Sequence, residues 1–163
     1  RLVFFPYAIH AVRLLKRAGY AVVIVTNQAG VGRGFIDEQF VHDTHDVIAE
    51  RFAKGGAAVV AFYYCPHHPV ATVPGYRVAC DCRKPGAGML RKAAADLDLD
   101  LARSYAIGDK WSDVQAGLAA GARSMLVRTG YGRSVEASPP AGVGKAIVVD
   151  NLIAAVASIL RDR

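Results

Sequence analysis

Apolar residues along this chain alternate between a helical period and a strand period. In residues 6–18 (PYAIHAVRLLKRA), apolar positions recur at helical spacing, and Gly19 follows as a typical helix end. Residues 20–26 (YAVVIVT) instead form a continuous β-branched run of the length of a buried strand. The alternation continues and predicts further strands at 58–64, 104–109, 124–129 and 145–150, with further helices at 37–54, 87–98, 111–120 and 151–161.

Strands that are apolar throughout are typical of a parallel sheet with helices on both faces. We therefore predict a single α/β domain over residues 1–163, with a three-layer, Rossmann-like architecture. Ligands of such folds bind beyond the carboxyl ends of the strands. Thr26, Cys65 and Asp109 each lie where a predicted strand stops, so we expect them to meet at one edge of the sheet.

Composition narrows the class of protein. The 163 residues are 53% hydrophobic and 21% charged, which indicates a globular chain, and no apolar run reaches the roughly 18 residues of a membrane-spanning helix. The net charge is +6, but no Lys/Arg run exceeds two residues. Scattered charge favours a solvated basic surface or a small anionic substrate over nucleic acid. The hydrophobic pattern begins almost at Arg1, so we expect a further segment before it.

The three cysteines lie in one short stretch. Cys65-x-His67 is followed by twelve residues and then by Cys80-x-Cys82. Two tight pairs of sulfur and imidazole ligands are what a closed tetrahedral Zn²⁺ site requires, and four protein ligands predict a structural metal. A disulfide explains the pattern less well, because the count is odd and cysteines separated by one residue rarely bridge. His68 is the alternative to His67, which we favour because it mirrors the second pair.

Arg83 and Lys84 follow the last predicted zinc ligand without a spacer. They are either an ordinary basic pair on the surface or two cations that the zinc loop directs at an anionic group. Arg offers a planar fork to phosphate and Lys a point charge, which favours the second interpretation.

The glycine-rich residues 27–34 (NQAGVGRG) match neither of the common nucleotide motifs. Phe35 stands where a dinucleotide motif needs its third glycine, and the chain contains no P-loop pattern. Thr26 and Asn27 remain at the strand end, with hydroxyl, amide and backbone N–H groups able to hold a phosphoryl oxygen. Such residues also simply end strands and start turns.

Two carboxylates follow the strand predicted at 104–109. Asp109 comes after Gly108 in a tight turn, and Asp113 lies at the start of the next helix. Carboxylates at this edge suit Mg²⁺, which binds through one or two of them plus a substrate phosphate. Asp113 alone is also explained by the preference of acidic side chains for a helix N-terminus. Asp109 is therefore the predicted magnesium ligand.

In order, IVTNQAGVGRG, YYCPHHP, CDCRKP and YAIGDKWSD resemble the haloacid dehalogenase (HAD) superfamily of phosphatases. Within it they resemble the branch that contains the heptose bisphosphate and histidinol phosphate phosphatases. The resemblance implies a HAD fold with a minimal cap and a zinc-binding loop. It implies that Thr26 and Asn27 form the second family motif, Lys84 the third, and Asp109 with Asp113 the fourth.

The resemblance also implies a Mg²⁺-dependent phosphomonoester hydrolase with an aspartate nucleophile and an aspartate acid/base. Both would lie in an Asp-x-Asp motif at the end of the first strand. No predicted strand of this chain ends in that motif, so the resemblance places the first strand and its motif before Arg1. Asp109 would share the Mg²⁺ with the missing motif, and Lys84 and Thr26 would stabilise the phosphoryl charge.

The other positions that the resemblance assigns to the substrate are polar or cationic residues at the strand ends: Asn27, Gln28, Arg83 and Lys110. Arg83 would contact the sugar or its second phosphate. The implied substrate is a phosphorylated sugar, heptose 1,7-bisphosphate, from which the enzyme would remove the 7-phosphate. This substrate is favoured over histidinol phosphate because the loop of twelve residues between the ligand pairs is longer than the loop typical of histidinol-phosphate phosphatases.

Three alternatives remain open. One is a histidinol-phosphate phosphatase, the second is a non-catalytic, zinc-stabilised binding domain, and the third is a degenerate, non-catalytic phosphatase fold. Paired Cys-x-x-Cys knuckles and a basic stripe would support nucleic-acid binding, and the sequence has neither. We expect a cytoplasmic monomer without a nucleic-acid or membrane partner.

Overall fold

A computed structural model describes residues 2–162 and has the predicted α/β character. Its helices are α1 (Ala8–Arg17), α2 (Ala29–Gly32), α3 (Glu38–Lys54), α4 (Gly88–Leu97), α5 (Trp111–Ala119), α6 (Gly132–Val135) and α7 (Leu152–Arg161). Its strands are β1 (Val23–Asn27), β2 (Ala61–Cys65), β3 (Tyr105–Gly108), β4 (Arg123–Val127) and β5 (Ile147–Val149). Two 3₁₀ turns lie at Pro74–Tyr76 and Leu101–Arg103.

Helix boundaries follow the capping residues. α3 begins after Asp37, whose carboxylate accepts a 2.7 Å hydrogen bond from Phe40 N. α7 begins after Asn151, which accepts from Ala154 N at 3.0 Å. The sequence did not predict α2 and α6, because a single helical turn is too short to show a period. None of the helices within residues 2–162 combines the length and the apolar character that crossing a membrane requires.

The strands form two parallel groups, where the sequence predicted one sheet. β1 pairs with β2, and β4 lies between β3 and β5. Between β1 and β3 lies a cavity of about 280 Å³ with a largely apolar lining that includes Val23, Ile24 and Ile107. Hydrophobic periodicity reports which faces of a strand are buried but not which strands pair, so this division lay beyond the sequence.

The core holds β4 rigidly between layers. On one face of β4, Met125 packs against a cluster from α1 and α7. On the opposite face, Leu126 packs against Val114 of α5. Met125, Leu126 and Val114 are fully buried. Successive side chains of a strand point to opposite faces, so this arrangement confirms helices on both faces of the sheet. It also fixes the carboxyl ends of β3 and β4, where Asp109 lies.

Candidate functional site

The pairing of β1 with β2 brings two predicted site segments together. Asn27 lies opposite Cys65 in the parallel register, and Gln28 N donates to Cys65 O at 2.8 Å. The Gln28 side-chain amide donates to Thr26 Oγ1 at 3.3 Å. The strand end that carries Thr26 and Asn27 is therefore adjacent to the start of the cysteine loop.

Lys84 connects the two groups of strands. Its ammonium donates to Val25 O on β1 at 2.9 Å and lies 2.6 Å from Asp113 Oδ1 on α5. Its backbone N–H donates to Asn27 Oδ1 at 3.0 Å, and Asn27 Nδ2 donates back to Lys84 O at 3.1 Å. The Lys84 and Asp113 side chains are only 13% and 14% exposed, so solvent screens their attraction weakly. Lys84 is thus held from both sides at the strand ends.

Asp109, the acid that follows β3, is oriented by the turn after β4. Tyr131 N donates to Asp109 Oδ2 at 2.9 Å. Gly130 has a φ of +63°, and a Cβ there would lie 2.1 Å from the same oxygen, so only glycine fits. Within residues 2–162 Asp113 is ion-paired with Lys84, whereas Asp109 forms no ion pair. Asp109 is therefore the carboxylate at this edge that a cation can reach without competing with a lysine.

Lys110 adjoins both carboxylates. Its backbone N–H donates to Asp113 Oδ2 at 3.0 Å, and its ammonium lies 4.2 Å from the centre of the Tyr131 ring. A contiguous chain of contacts therefore runs from Asn27 through Lys84 and Asp113 to Lys110.

The three cysteines and one histidine form a compact cluster. The ligand atoms of Cys65, His67, Cys80 and Cys82 all lie within 4.8 Å of one another. Cys65 Sγ is 3.6 Å from Cys80 Sγ and 3.1 Å from Cys82 Sγ, and His67 Nδ1 is 3.3 Å from Cys82 Sγ. A tetrahedral ion with Zn–S bonds of about 2.3 Å and Zn–N bonds of about 2.0 Å needs separations of roughly 3.5–3.8 Å. The cluster fits such an ion with small adjustments.

Mutual contacts also shift the protonation of the thiols, in different directions: against the effect of burial, hydrogen bonds from neighbouring groups, Cys82 foremost, lower the pKa of Cys80. Burial raises the pKa of Cys65, and burial with hydrogen bonds to Cys80 and Cys65 raises the pKa of Cys82. Thiols packed this closely resist ionising together. A divalent cation among them reverses that preference, because the thiolate is the ligand form.

The structure distinguishes the two neighbouring histidines. His67 faces the thiols, whereas His68 Nδ1 accepts from Val70 N at 3.2 Å and its Nε2 lies 3.2 Å from Arg33 Nη2. Arg83 donates to His67 O at 3.1 Å and so links the second ligand pair to the first.

Sequence reasoning missed a carboxylate beside this loop. Glu38, the first residue of α3, accepts from Tyr76 OH at 2.6 Å and also from Tyr64 OH. The bond from Tyr64, followed by that from Tyr76, holds the pKa of Glu38 below its ordinary value. Burial, and then the bond to Glu38, raises the pKa of Tyr64 to about 12. Glu38 lies 26 and 38 positions from its partners, so no spacing signal marks it.

The arrangement can neutralise an anion at the edge of the sheet. Lys84 supplies a fixed ammonium, Asp109 presents a carboxylate without an ion pair among residues 2–162, and Arg83, next to Lys84 in the chain, donates to His67 O. A phosphoryl group needs this combination of cationic donors and metal ligand. The parallel α/β fold with this edge defines a hydrolase of the HAD type. Residues 81–155 match the HAD-hydrolase-like family model.

Within that class, the chain belongs to the family of the D-glycero-β-D-manno-heptose-1,7-bisphosphate 7-phosphatases. It is 43% identical to the enzyme of that name from Photorhabdus laumondii, over 86% of this chain and 75% of the relative. It is also 43% identical to the enzyme of that name from Escherichia coli (strain K12), over 78% of this chain and 67% of the relative.

Solved structures have the same fold. D,D-heptose 1,7-bisphosphate phosphatase from B. bronchiseptica, complexed with magnesium and phosphate, matches with a TM-score of 0.86 at 34% identity. The match covers 99% of this chain and 86% of that one. A putative HAD-like phosphatase from Mesorhizobium loti matches with a TM-score of 0.80 at 29% identity, over 96% of this chain and 75% of that one.

Proposed function

We propose that this protein removes the 7-phosphate of D-glycero-D-manno-heptose 1,7-bisphosphate through an aspartyl-phosphate intermediate. The observation that carries the proposal is Lys84, held between Val25 O and Asp113 at the strand ends of a chain from this family. A preorganised ammonium in a partly buried site stabilises charge that develops on phosphoryl oxygens. The relatives named above supply the substrate class, because they carry the name of this activity.

In the proposed mechanism, Lys84 and Thr26 bind the phosphoryl oxygens. Thr26 lies at the end of β1, where Gln28 donates to its hydroxyl, and Lys84 is bound to the same strand end through the Asn27 side chain. The substrate site around the phosphoryl group would be lined by Asn27, Gln28 and Lys110. Arg83 would contact the sugar or the second phosphate, because a guanidinium offers paired donors to an anion.

Asp109 is the proposed magnesium ligand. Its Oδ2 is oriented by Tyr131 N, and no lysine or arginine of residues 2–162 is ion-paired with it. When bound, Mg²⁺ supplies Lewis-acid neutralisation of the phosphoryl oxygens. The B. bronchiseptica relative was solved in complex with magnesium and phosphate, which supports this choice of ion.

Zn²⁺ is the proposed ion of the cysteine cluster. Cys65, His67, Cys80 and Cys82 supply four protein ligands, which leaves no position for substrate. The zinc therefore has a structural role. It closes the loop that presents Arg83 and Lys84 to the strand ends.

The cavity between β1 and β3 is the proposed place of the nucleophile strand. It separates two parallel groups of strands, and its apolar lining suits a strand buried on both faces. A parallel strand there would complete one sheet, and its carboxyl end would reach the edge at which Lys84 lies. We propose that a segment preceding Arg1 supplies this strand and its Asp-x-Asp motif, within the same single domain as residues 1–163.

The test uses the full-length natural chain. We expect phosphate release from heptose 1,7-bisphosphate with a kcat/KM well above that for histidinol phosphate, and no turnover by residues 1–163 alone. A clear preference for histidinol phosphate would establish the alternative substrate. Absence of phosphatase activity in a folded, metal-loaded full-length protein would favour the non-catalytic binding domain.

Partners follow from the same proposal. The phosphorylated sugar is the partner that the site chemistry accounts for, and we expect a cytoplasmic monomer without nucleic-acid binding. A titration of DNA and RNA binding against salt checks the absence of nucleic-acid binding, because real phosphate contacts give a steep salt dependence.

A further inference from the structure

Glu38 joins the cysteine loop to the body of the domain. It lies far along the chain from the four residues of the cysteine cluster. Here the ligand loop denotes residues 66–79, between Cys65 and Cys80. Both Glu38 carboxylate oxygens are used, one by Tyr64 OH on β2 and one by Tyr76 OH in the middle of the ligand loop. One side chain on α3 therefore joins a strand and a loop.

The partners of Glu38 are neighbours of the first ligand pair. Tyr64 immediately precedes Cys65 in β2. Tyr76 O accepts a 3.0 Å hydrogen bond from His68 N, the residue after His67, and the His67 and Tyr76 rings lie 6.3 Å apart. The Glu38 carboxylate is thus connected to Cys65 through Tyr64, and to His67 through Tyr76 and His68.

Apart from Glu38, the ligand loop is held to the body by Arg33, whose Nη2 lies 3.2 Å from His68 Nε2, by Arg83, which donates to His67 O, and by α2. Within the loop, the regular structure is the 3₁₀ turn Pro74–Tyr76. Its backbone is joined to α2 by Val73 N, which donates to Gly32 O at 3.0 Å. Gly32 also admits the loop closely, since a Cβ there would lie 2.7 Å from Pro66 O.

We propose that Glu38 is a positioning residue for the proposed phosphatase site: its carboxylate sets the distance between Tyr64 and Tyr76, and thereby holds the ligand loop in the geometry that both zinc and substrate require. The proposal rests on the proposed function for its substrate, and on the geometry alone for the loop. Glu38 touches neither substrate nor metal ligands, so it acts through the two phenols.

A helix-capping role does not account for the same contacts. An acidic residue in the first turn of a helix is favoured by the helix dipole alone. That role needs no partner, and Asp37 already caps α3 through Phe40 N. The two phenol donors, one from β2 and one from the loop, are what distinguish Glu38 from an ordinary first-turn acid.

The experiment compares three single variants in the full-length, zinc-loaded protein. Glu38→Ala removes both bonds, Tyr76→Phe removes only the bond to the loop, and Glu38→Gln keeps one acceptor. Tyr63→Phe is the matched control, because Tyr63 OH donates to the Asp96 carboxylate at 2.9 Å on the same strand but away from the loop.

Two readouts are taken: the rate of zinc transfer to a chelator, and KM against kcat with heptose 1,7-bisphosphate. We expect Glu38→Ala and Tyr76→Phe to release zinc about tenfold faster and to raise KM several-fold, with kcat near that of the wild type. A hydrogen bond to a charged group is worth about a factor of ten or more in an equilibrium constant. Glu38→Gln should lie between wild type and Glu38→Ala, and Tyr63→Phe should match wild type.

Equal zinc release in Tyr76→Phe and Tyr63→Phe overturns the proposal, and so does faster zinc release without any change in KM. If Glu38→Ala does not fold, Tyr76→Phe decides, because it removes a single hydroxyl. Should the wild-type protein fail to hydrolyse heptose bisphosphate, the proposed function falls. The zinc-release comparison then still decides whether Glu38 holds the loop.

Discussion

At the scale of single residues, Lys84 forms more contacts within the site than its position after a cysteine pair predicts. Its backbone is bound by Asn27, and its ammonium lies between Val25 O and Asp113. A lysine suits this place because a compact ammonium with rotatable donors can satisfy a carbonyl and a carboxylate and still face a third anion. The planar guanidinium of Arg83 lies instead against His67 O.

Lys84→Ala should lower kcat of the full-length protein by about 10²–10³-fold, as loss of one preorganised donor to a developing oxyanion does. It also leaves the partly buried Asp113 carboxylate unpaired, at a cost of about 2 kcal/mol in the free energy of unfolding. Steady-state kinetics and thermal denaturation measure the two effects. Lys92→Ala is the control, because Lys92 pairs with Asp96 at the exposed surface. Wild-type kcat in Lys84→Ala would contradict this role.

Gly130→Ala should weaken Mg²⁺ binding about tenfold or more, because the new Cβ displaces the Asp109 carboxylate from which it would lie 2.1 Å. The dependence of activity on Mg²⁺ concentration measures this. Gly142→Ala is matched for backbone strain: Gly142 has a φ of +85° and nothing within 4 Å of its Cβ position. If both variants need the same Mg²⁺ concentration, Gly130 does not protect the metal ligand.

At the scale of elements, the pairing register of β1 and β2 decides where the loop begins. Asn27 lies opposite Cys65, so the first pair of the cysteine cluster starts beside the proposed phosphoryl-binding residues. A shift by one residue would turn Cys65 to the other face of the sheet. The ladder starts at Val23 opposite Ala61, which is why β1 is shorter than the β-branched run from residue 20 that predicted it.

Cys82→Ser should release zinc and disorder the ligand loop while the helices and sheets remain. Substrate binding should weaken, because Arg83 and Lys84 follow directly after the lost ligand, whereas the core around β4 is built from residues outside the loop. Elemental analysis, far-ultraviolet circular dichroism and KM measure these effects. A zinc-free variant with wild-type KM would show that the metal does not hold the site.

At the scale of the whole molecule, the feature that stands out is the division of the sheet. Two parallel groups of strands face each other across the apolar cavity, and Lys84 spans them at one end through Val25 O and Asp113. Unpaired strand edges are costly in a parallel α/β fold, where both faces and both neighbours are normally buried. The proposed nucleophile strand would pair with both edges and would also supply the proposed Asp-x-Asp motif.

Hydrogen exchange tests the whole-molecule arrangement. Amides of β1 and β3 should exchange at least tenfold more slowly in the full-length chain than in residues 1–163, because a strand between them would pair with both edges. Amides of β4, already paired on both sides, should differ less and provide the internal control. Equal exchange of β1 and β3 in the two chains would place the preceding segment elsewhere.

The sequence by itself determined the α/β alternation, the start of α3 after Asp37, the residues at the strand ends and the paired spacing of the sulfur and imidazole ligands. Each of these is local, since a period, a cap or a short spacing constrains only neighbouring residues. Tertiary structure decided between His67, which the spacing favoured, and His68, and it alone decided that Lys84 meets Asp113, that Glu38 joins Tyr64 to Tyr76, and that the strands divide around a cavity. These contacts join residues tens of positions apart or hinge on the direction in which one side chain points. Strand pairing and packing set them, and no local pattern carries that information.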